Sequence, residues 1–131
     1  MATNWNGYAM RFLPTLFSLL IACTPALAER TRLLVQSSPL AGSQYYAVTE
    51  SWAEMKVGDV LTLTREPDNK HDRNAIRVEW KGRKLGYVPR AQNRAVAQAM
   101  DDGERLIARI SRLSEDANPW RRVEFEVYIE L

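Results

Sequence analysis

Strict two-residue alternation limits the folds open to this chain more than any other feature. Ile76, Val78 and Trp80 alternate with Arg77 and Glu79, and Lys81-Gly82 offers a two-residue connection into Lys84 to Val88. That is the pattern of a β-hairpin with one face in a core and the other in water. The same rhythm runs through Val60 to Arg65, where Leu61 and Leu63 oppose Thr62 and Thr64. It returns in Val123 to Leu131, where Val123, Phe125, Val127, Ile129 and Leu131 share the face opposite Glu124, Glu126 and Glu130. Arg32 to Gln36 and Leu106 to Leu113 complete the expected strands. Helical spacing is clear only in Arg90 to Asp102, with Val96 and Met100 four apart and Gly103 placed as the stop. Ala47 to Val57 follows neither period. Short, closely spaced strands with one clear helix predict an α+β domain on a curled, mostly antiparallel sheet or barrel.

Charge is far less evenly spread. Arg65 to Arg90, REPDNKHDRNAIRVEWKGRKLGYVPR, carries eight Lys and Arg against four Asp and Glu, while the rest of the chain carries ten against twelve. A protein with a net charge of only +2 thus concentrates its positive charge on one hairpin and its loops, as a surface that meets a polyanion does.

The same stretch holds the candidates for chemistry. Asp68, Asn69, His71, Asp72 and Asn74 fall within seven residues, a donor set that could hold a divalent metal. The competing explanation is an Asx-rich turn, in which short polar side chains bond loop backbone. His71 is the single histidine and cationic groups crowd the acids, so the turn is expected and no metal site or cofactor is assigned. No Ser-His-Asp set, glycine-rich phosphate loop or paired histidines indicate catalysis. Nucleic acid needs cations for phosphates and flat rings for unpaired bases. Lys70, Arg73, Lys84 and Arg90 supply the former, and Tyr45, Tyr46, His71 and Tyr87 the latter.

The run R-E-P-D-N-x-x-D-x-N-A-I-x-V, then a turn, then L-G-Y-V-P-R, closely resembles the HIRAN domain from about Leu33 to Leu131. In that family the module occurs fused to helicase-like DNA repair proteins and as a small standalone bacterial protein. The resemblance implies a six-stranded barrel related to the OB-fold, with two helices. It also implies a grip on the 3′ end of single-stranded DNA. Tyr45 matches the family's first stacking aromatic, and Asn69 and Asp72 match the polar pair of the end-binding loop. Tyr87 and Arg90 fall in the segment after the L-G turn, and Tyr128 is a weaker candidate. The chain departs from the family where His71 replaces the loop aromatic and Gln44 stands before the tyrosine pair instead of a basic residue.

Residues 1–28 have no acidic group and one basic residue, Arg11, followed by the eleven-residue apolar run Phe12 to Ala22. That run is shorter than the roughly twenty residues of a membrane-spanning helix. Ala26-Leu27-Ala28 supplies the small residues of a signal peptidase site, so a secretory leader cleaved after Ala28 is expected, with Met10 as an alternative start. Leu20-Ile21-Ala22-Cys23 also resembles a lipobox, and membrane attachment is expected only if Cys23 is lipidated. Residues 29–131 then form one domain, periplasmic or secreted, without a cysteine. Three functions follow: a noncatalytic module for single-stranded DNA or DNA 3′ ends, an envelope interaction protein with an acidic partner or polymer, and a metal-dependent hydrolase using Asp68, His71 and Asp72.

Overall fold

The computed structural model of the protein describes residues 31–131, so the expected leader, its cleavage site and Cys23 lie outside the described residues. Six strands form one antiparallel sheet: β1 (Arg32–Pro39), β2 (Val60–Arg65), β3 (Ile76–Trp80), β4 (Arg83–Tyr87), β5 (Leu106–Leu113) and β6 (Val123–Glu130), in the order β1-β6-β5-β2-β3-β4. Two helices accompany them, the single turn α1 (Val48–Ser51) and α2 (Arg94–Asp101). This is the expected α+β, OB-like architecture.

Alternation decides which side chains fill the core. Ile76, Val78 and Trp80 of β3 are buried, as are Val123, Phe125 and Val127 of β6, while Ile129 is half-buried and Leu131 lies in solvent. Each fully buried apolar side chain of this size is worth about 1.5 to 3 kcal/mol. Trp80 has one polar atom to satisfy, and its Nε1–H donates to Asp59 Oδ2 at 3.0 Å. Leu61, Leu85, Ala108 and Ile110 close the core from the sheet, and Val96 and Ala97 of α2 and Val48 of α1 close it from the helices. The Lys81-Gly82 turn has φ 47 and 78, the two left-handed residues of a tight hairpin.

The expectation of a barrel needs one correction. The margins β1 and β4 share no ladder and meet only past the end of β1, where Ala41 and Tyr87 exchange two backbone hydrogen bonds of 2.9 Å. Gly42, at φ 74, turns the chain at once into a 3-10 turn over Ser43–Tyr45, so the pairing cannot extend. Gly86 allows even this one bridge, because a Cβ there would lie 2.3 Å from Ala41 O.

A register shift in the hairpin aims the next residue. Val78 pairs with Gly86 but Glu79 pairs with Lys84, which leaves Leu85 as the extra residue of a β-bulge. Leu85 and Gly86 are therefore both buried, and Tyr87 emerges at the seam rather than in the core.

Candidate nucleic-acid interface

The β2–β3 loop is built on its own short side chains. Asn69 Oδ1 accepts from the amides of His71 (2.9 Å) and Asp72 (3.2 Å), and Asp72 Oδ1 accepts from the amide of Asn74 at 2.9 Å. These are Asx turns, the arrangement expected for such a run. Two further contacts tie the loop to its surroundings. Asn93 Nδ2 donates to Asp72 Oδ2 at 2.6 Å, and Glu66 Oε1 accepts both from Asn69 Nδ2 and from the Tyr87 hydroxyl, each at 3.0 Å.

Around this loop lies a pocket of about 310 Å³ lined by Ala41, Tyr46, Asn69, His71, Asp72, Ala75, Tyr87, Val88 and Arg90. The Tyr46 and Tyr87 rings meet edge to face with centroids 6.1 Å apart. Lys84 fixes that pair. Its Nζ sits 4.2 Å from the Tyr46 ring centre and 4.5 Å from that of Tyr87, and it donates to the Tyr87 hydroxyl at 2.7 Å.

The carboxylates beside the pocket stay ionised below their ordinary range. Burial raises the pKa of Asp72, but the Asn74 amide, the Asn93 side chain and the charges of Arg90 and Arg65 outweigh it, so the net shift is downward. Glu66 follows the same balance, with burial opposed by Asn69, Tyr87, Lys84 and Arg77. Lys84 is shifted upward, burial being outweighed by its contacts with the two tyrosines.

An adjoining, wider cleft of about 1060 Å³ shares Asn69, His71, Asp72 and Arg90 with the pocket and adds Lys70, Arg73 and Arg94. Asp101, also on its wall, is taken by Arg65, whose Nε and Nη2 donate to the two carboxylate oxygens at 3.0 and 3.3 Å. Among the described residues, no group of three or more His, Cys, Asp or Glu is arranged to hold a metal ion.

The sequence matches the HIRAN domain over residues 33–131. The chain belongs to the HIRAN domain family. Two crystal structures share the HIRAN fold seen here. A protein from Lactobacillus plantarum superposes with a TM-score of 0.66 at 28% identity, over 77% of this chain and 98% of that one. The HIRAN domain of human HLTF superposes with a TM-score of 0.58 at 22% identity, over 75% of this chain and 78% of that one. No curated protein matches the sequence.

This HIRAN domain brings six of the eleven residues singled out from sequence to the pocket: Tyr46, Asn69, His71, Asp72, Tyr87 and Arg90. Lys70 faces the wider cleft, and Lys84 braces the tyrosines without lining either. Tyr45 is elsewhere. It is 77% exposed at the end of the 3-10 turn, and the neighbouring Tyr46 takes the pocket wall, because successive residues of so tight a turn point in different directions. Tyr128 lies in β6, where its hydroxyl donates to Glu126. Sequence reasoning missed Glu66 and Asn93. Asn93 precedes α2 and would pass for a helix cap, yet it makes no cap bond and is only 2% exposed. Its side chain orients Asp72 instead.

Proposed function

We propose that this HIRAN domain is a noncatalytic module that binds nucleic acid and takes the terminal nucleotide of a single strand into the Tyr46–Tyr87 pocket. The observation that carries this is the meeting of two tyrosine rings, an imidazole, a guanidinium and an oriented carboxylate in one concavity of about 310 Å³. The volume is at the lower end of small-ligand sites, which run from about 300 to 1,000 Å³.

Each group has a task in that reading. Tyr46, Tyr87 and His71 offer flat faces to a base, and Arg90 offers donors to the phosphate behind it. Asp72 sets which end is accepted. A carboxylate held ionised repels a terminal phosphate and accepts a hydrogen bond from a terminal hydroxyl, and each of its oxygens keeps a lone pair beyond those used by Asn74 and Asn93. The 3′ hydroxyl is the end implied by the family resemblance. Asn69 shapes the loop, since its amide is already engaged with Glu66 and two backbone groups.

Fluorescence anisotropy with short single-stranded oligonucleotides tests the reading. Binding should favour a 3′-hydroxyl over a 3′-phosphate end, and replacing Tyr46 and Tyr87 by Ala should weaken it by tenfold or more, stacking being worth about 1 to 3 kcal/mol per base. Equal affinity for the two ends, with no effect of the tyrosine changes, would defeat it.

A further inference from the structure

Arg65 apart, the cations of the wider cleft have no ion-pair partner. Lys70, Arg73 and Arg94 are exposed and line one wall together with Arg90, and among the described residues none of the four forms an ion pair. Surface arginines left unpaired are ordinary one at a time. Here they face a single concavity of about 1060 Å³ whose carboxylates are already committed, Asp72 to Asn74 and Asn93 and Asp101 to Arg65. Asp101 is neutralised by Arg65 and Asp72 leaves one negative charge against the four remaining cations, so the cleft presents a net positive charge to whatever enters it.

Its position gives that charge a direction. The cleft and the tyrosine pocket share Asn69, His71, Asp72 and Arg90, so the two concavities adjoin at the β2–β3 loop and Arg90 borders both. The aromatic pair is confined to the pocket side, since Tyr46 and Tyr87 do not line the cleft. A tyrosine pair in one concavity and unpaired cations in the adjoining one divide the work as a strand requires: bases held at the terminus, sugar-phosphate backbone held behind it.

We infer that the cleft lined by Arg73 and Arg94 is a second binding site, a backbone channel that receives the phosphates of the same single strand internal to the nucleotide in the pocket. This rests on the function proposed above and extends it, because it makes affinity depend on strand length as well as on the end. Arg73, from the loop, and Arg94, from the first turn of α2, grip the strand from two elements, with Lys70 at the rim.

The experiment compares a dinucleotide with an oligonucleotide of about twelve nucleotides, a length within the roughly 4 to 16 a small single-strand-binding domain covers. Both are titrated across a range of salt concentration against the wild-type domain and the double variant Arg73→Gln, Arg94→Gln. The wild-type domain should bind the longer strand at least tenfold more tightly, and the variant should lose that gain while binding the dinucleotide, whose one phosphate falls to Arg90, as before. Each phosphate contact contributes about 0.7 to the slope of log affinity against log salt for a single strand, so the slope for the longer strand should fall by about 1.4. Unchanged dinucleotide binding also shows that the variant is folded. If the variant keeps both the length dependence and the slope, the channel is refuted while the pocket stands. If the wild-type domain binds neither oligonucleotide, the underlying function fails and the channel with it.

Discussion

Two loops of this domain use the same local chemistry to opposite effect. The β2–β3 loop is held by Asx turns at Asn69 and Asp72, and the β5–β6 loop by Asx turns in which Asp116 accepts from the Asn118 amide at 2.8 Å and Asn118 from the Trp120 amide at 3.1 Å. Beyond that they diverge. Arg122 turns the second loop in on itself, with Nε donating to Asp116 O at 2.7 Å and Nη2 to Ala117 O, and Trp120 remains 50% exposed. The first loop sends its spare side-chain atoms outward, Asp72 to Asn93 before α2, with Glu66 receiving both Asn69 and the Tyr87 of β4. The second loop keeps its side-chain bonds to itself and receives one from outside, Ser43 Oγ donating to Pro119 O at 3.2 Å; the first spends its polar side-chain atoms on two neighbouring elements and so becomes the oriented wall of the tyrosine pocket.

The contrast breaks most severely if the neighbour is displaced. Gly86→Ala would put a Cβ 2.3 Å from Ala41 O and ask an alanine to hold φ +156, at a cost of about 3 kcal/mol. The expected result is a lower denaturant midpoint, with NMR amide signals of Asn69 to Asn74 moving widely and those of Asp116 to Trp120 holding their positions. Equal perturbation of both loops would erase the distinction.

A second, milder comparison removes one asparagine from each. Asn93→Ala leaves a half-buried carboxylate without its side-chain donor and should cost about 1 to 3 kcal/mol, with weaker binding of 3′-hydroxyl oligonucleotides. Asn118→Ala removes an exposed cap of the Trp120 turn and should cost about 1 kcal/mol at most, with binding unchanged. Urea unfolding of the two variants side by side measures the difference, and equal costs would show that the link to Asn93 carries no special weight.

The smallest expected effect is a pH dependence. Asp72 and Glu66 both have folded pKa values below the ordinary 3.8 and 4.5, so the unfolded chain binds protons more readily. Their contribution is complete above those unfolded values and drains away as pH falls through the folded ones. Stability followed by circular dichroism should hold steady down to pH of about 5 and decline below it, and Asp72→Asn together with Glu66→Gln should flatten part of that decline. An unaltered acid limb would show that the two carboxylates are not coupled to folding.

Much of this was legible in the residues. The β3–β4 hairpin, β5, β6 and α2 follow from period and punctuation, because a half-buried strand and an amphipathic helix each stamp their spacing on the chain. Part of the cationic stretch is spent on ion pairs, Arg65 with Asp101 and Arg77 with Glu66 and Glu79, while Lys70, Arg73 and Arg90 stay exposed at one cleft, and the run from Asp68 to Asn74 is the Asx turn it resembles. What escaped depends on register or on distant partners. One extra residue at Leu85 reverses which way Tyr87 faces, and alternation carries no mark of it. Tyr45 and Tyr46 are chemically alike, and only the turn after Gly42 decides which one reaches the pocket. Glu66 and Asn93 gain their roles from side chains 21 residues away in sequence, a proximity that exists only once the sheet has curled.

The curl ends at the two hydrogen bonds between Ala41 and Tyr87, and both residues also line the pocket. Whatever lodges there rests one side on the stretch that follows β1 and the other on β4, acting as a clasp across the gap. Occupancy and closure then draw on the same free energy, so a bound domain should be harder to open at this joint than an empty one.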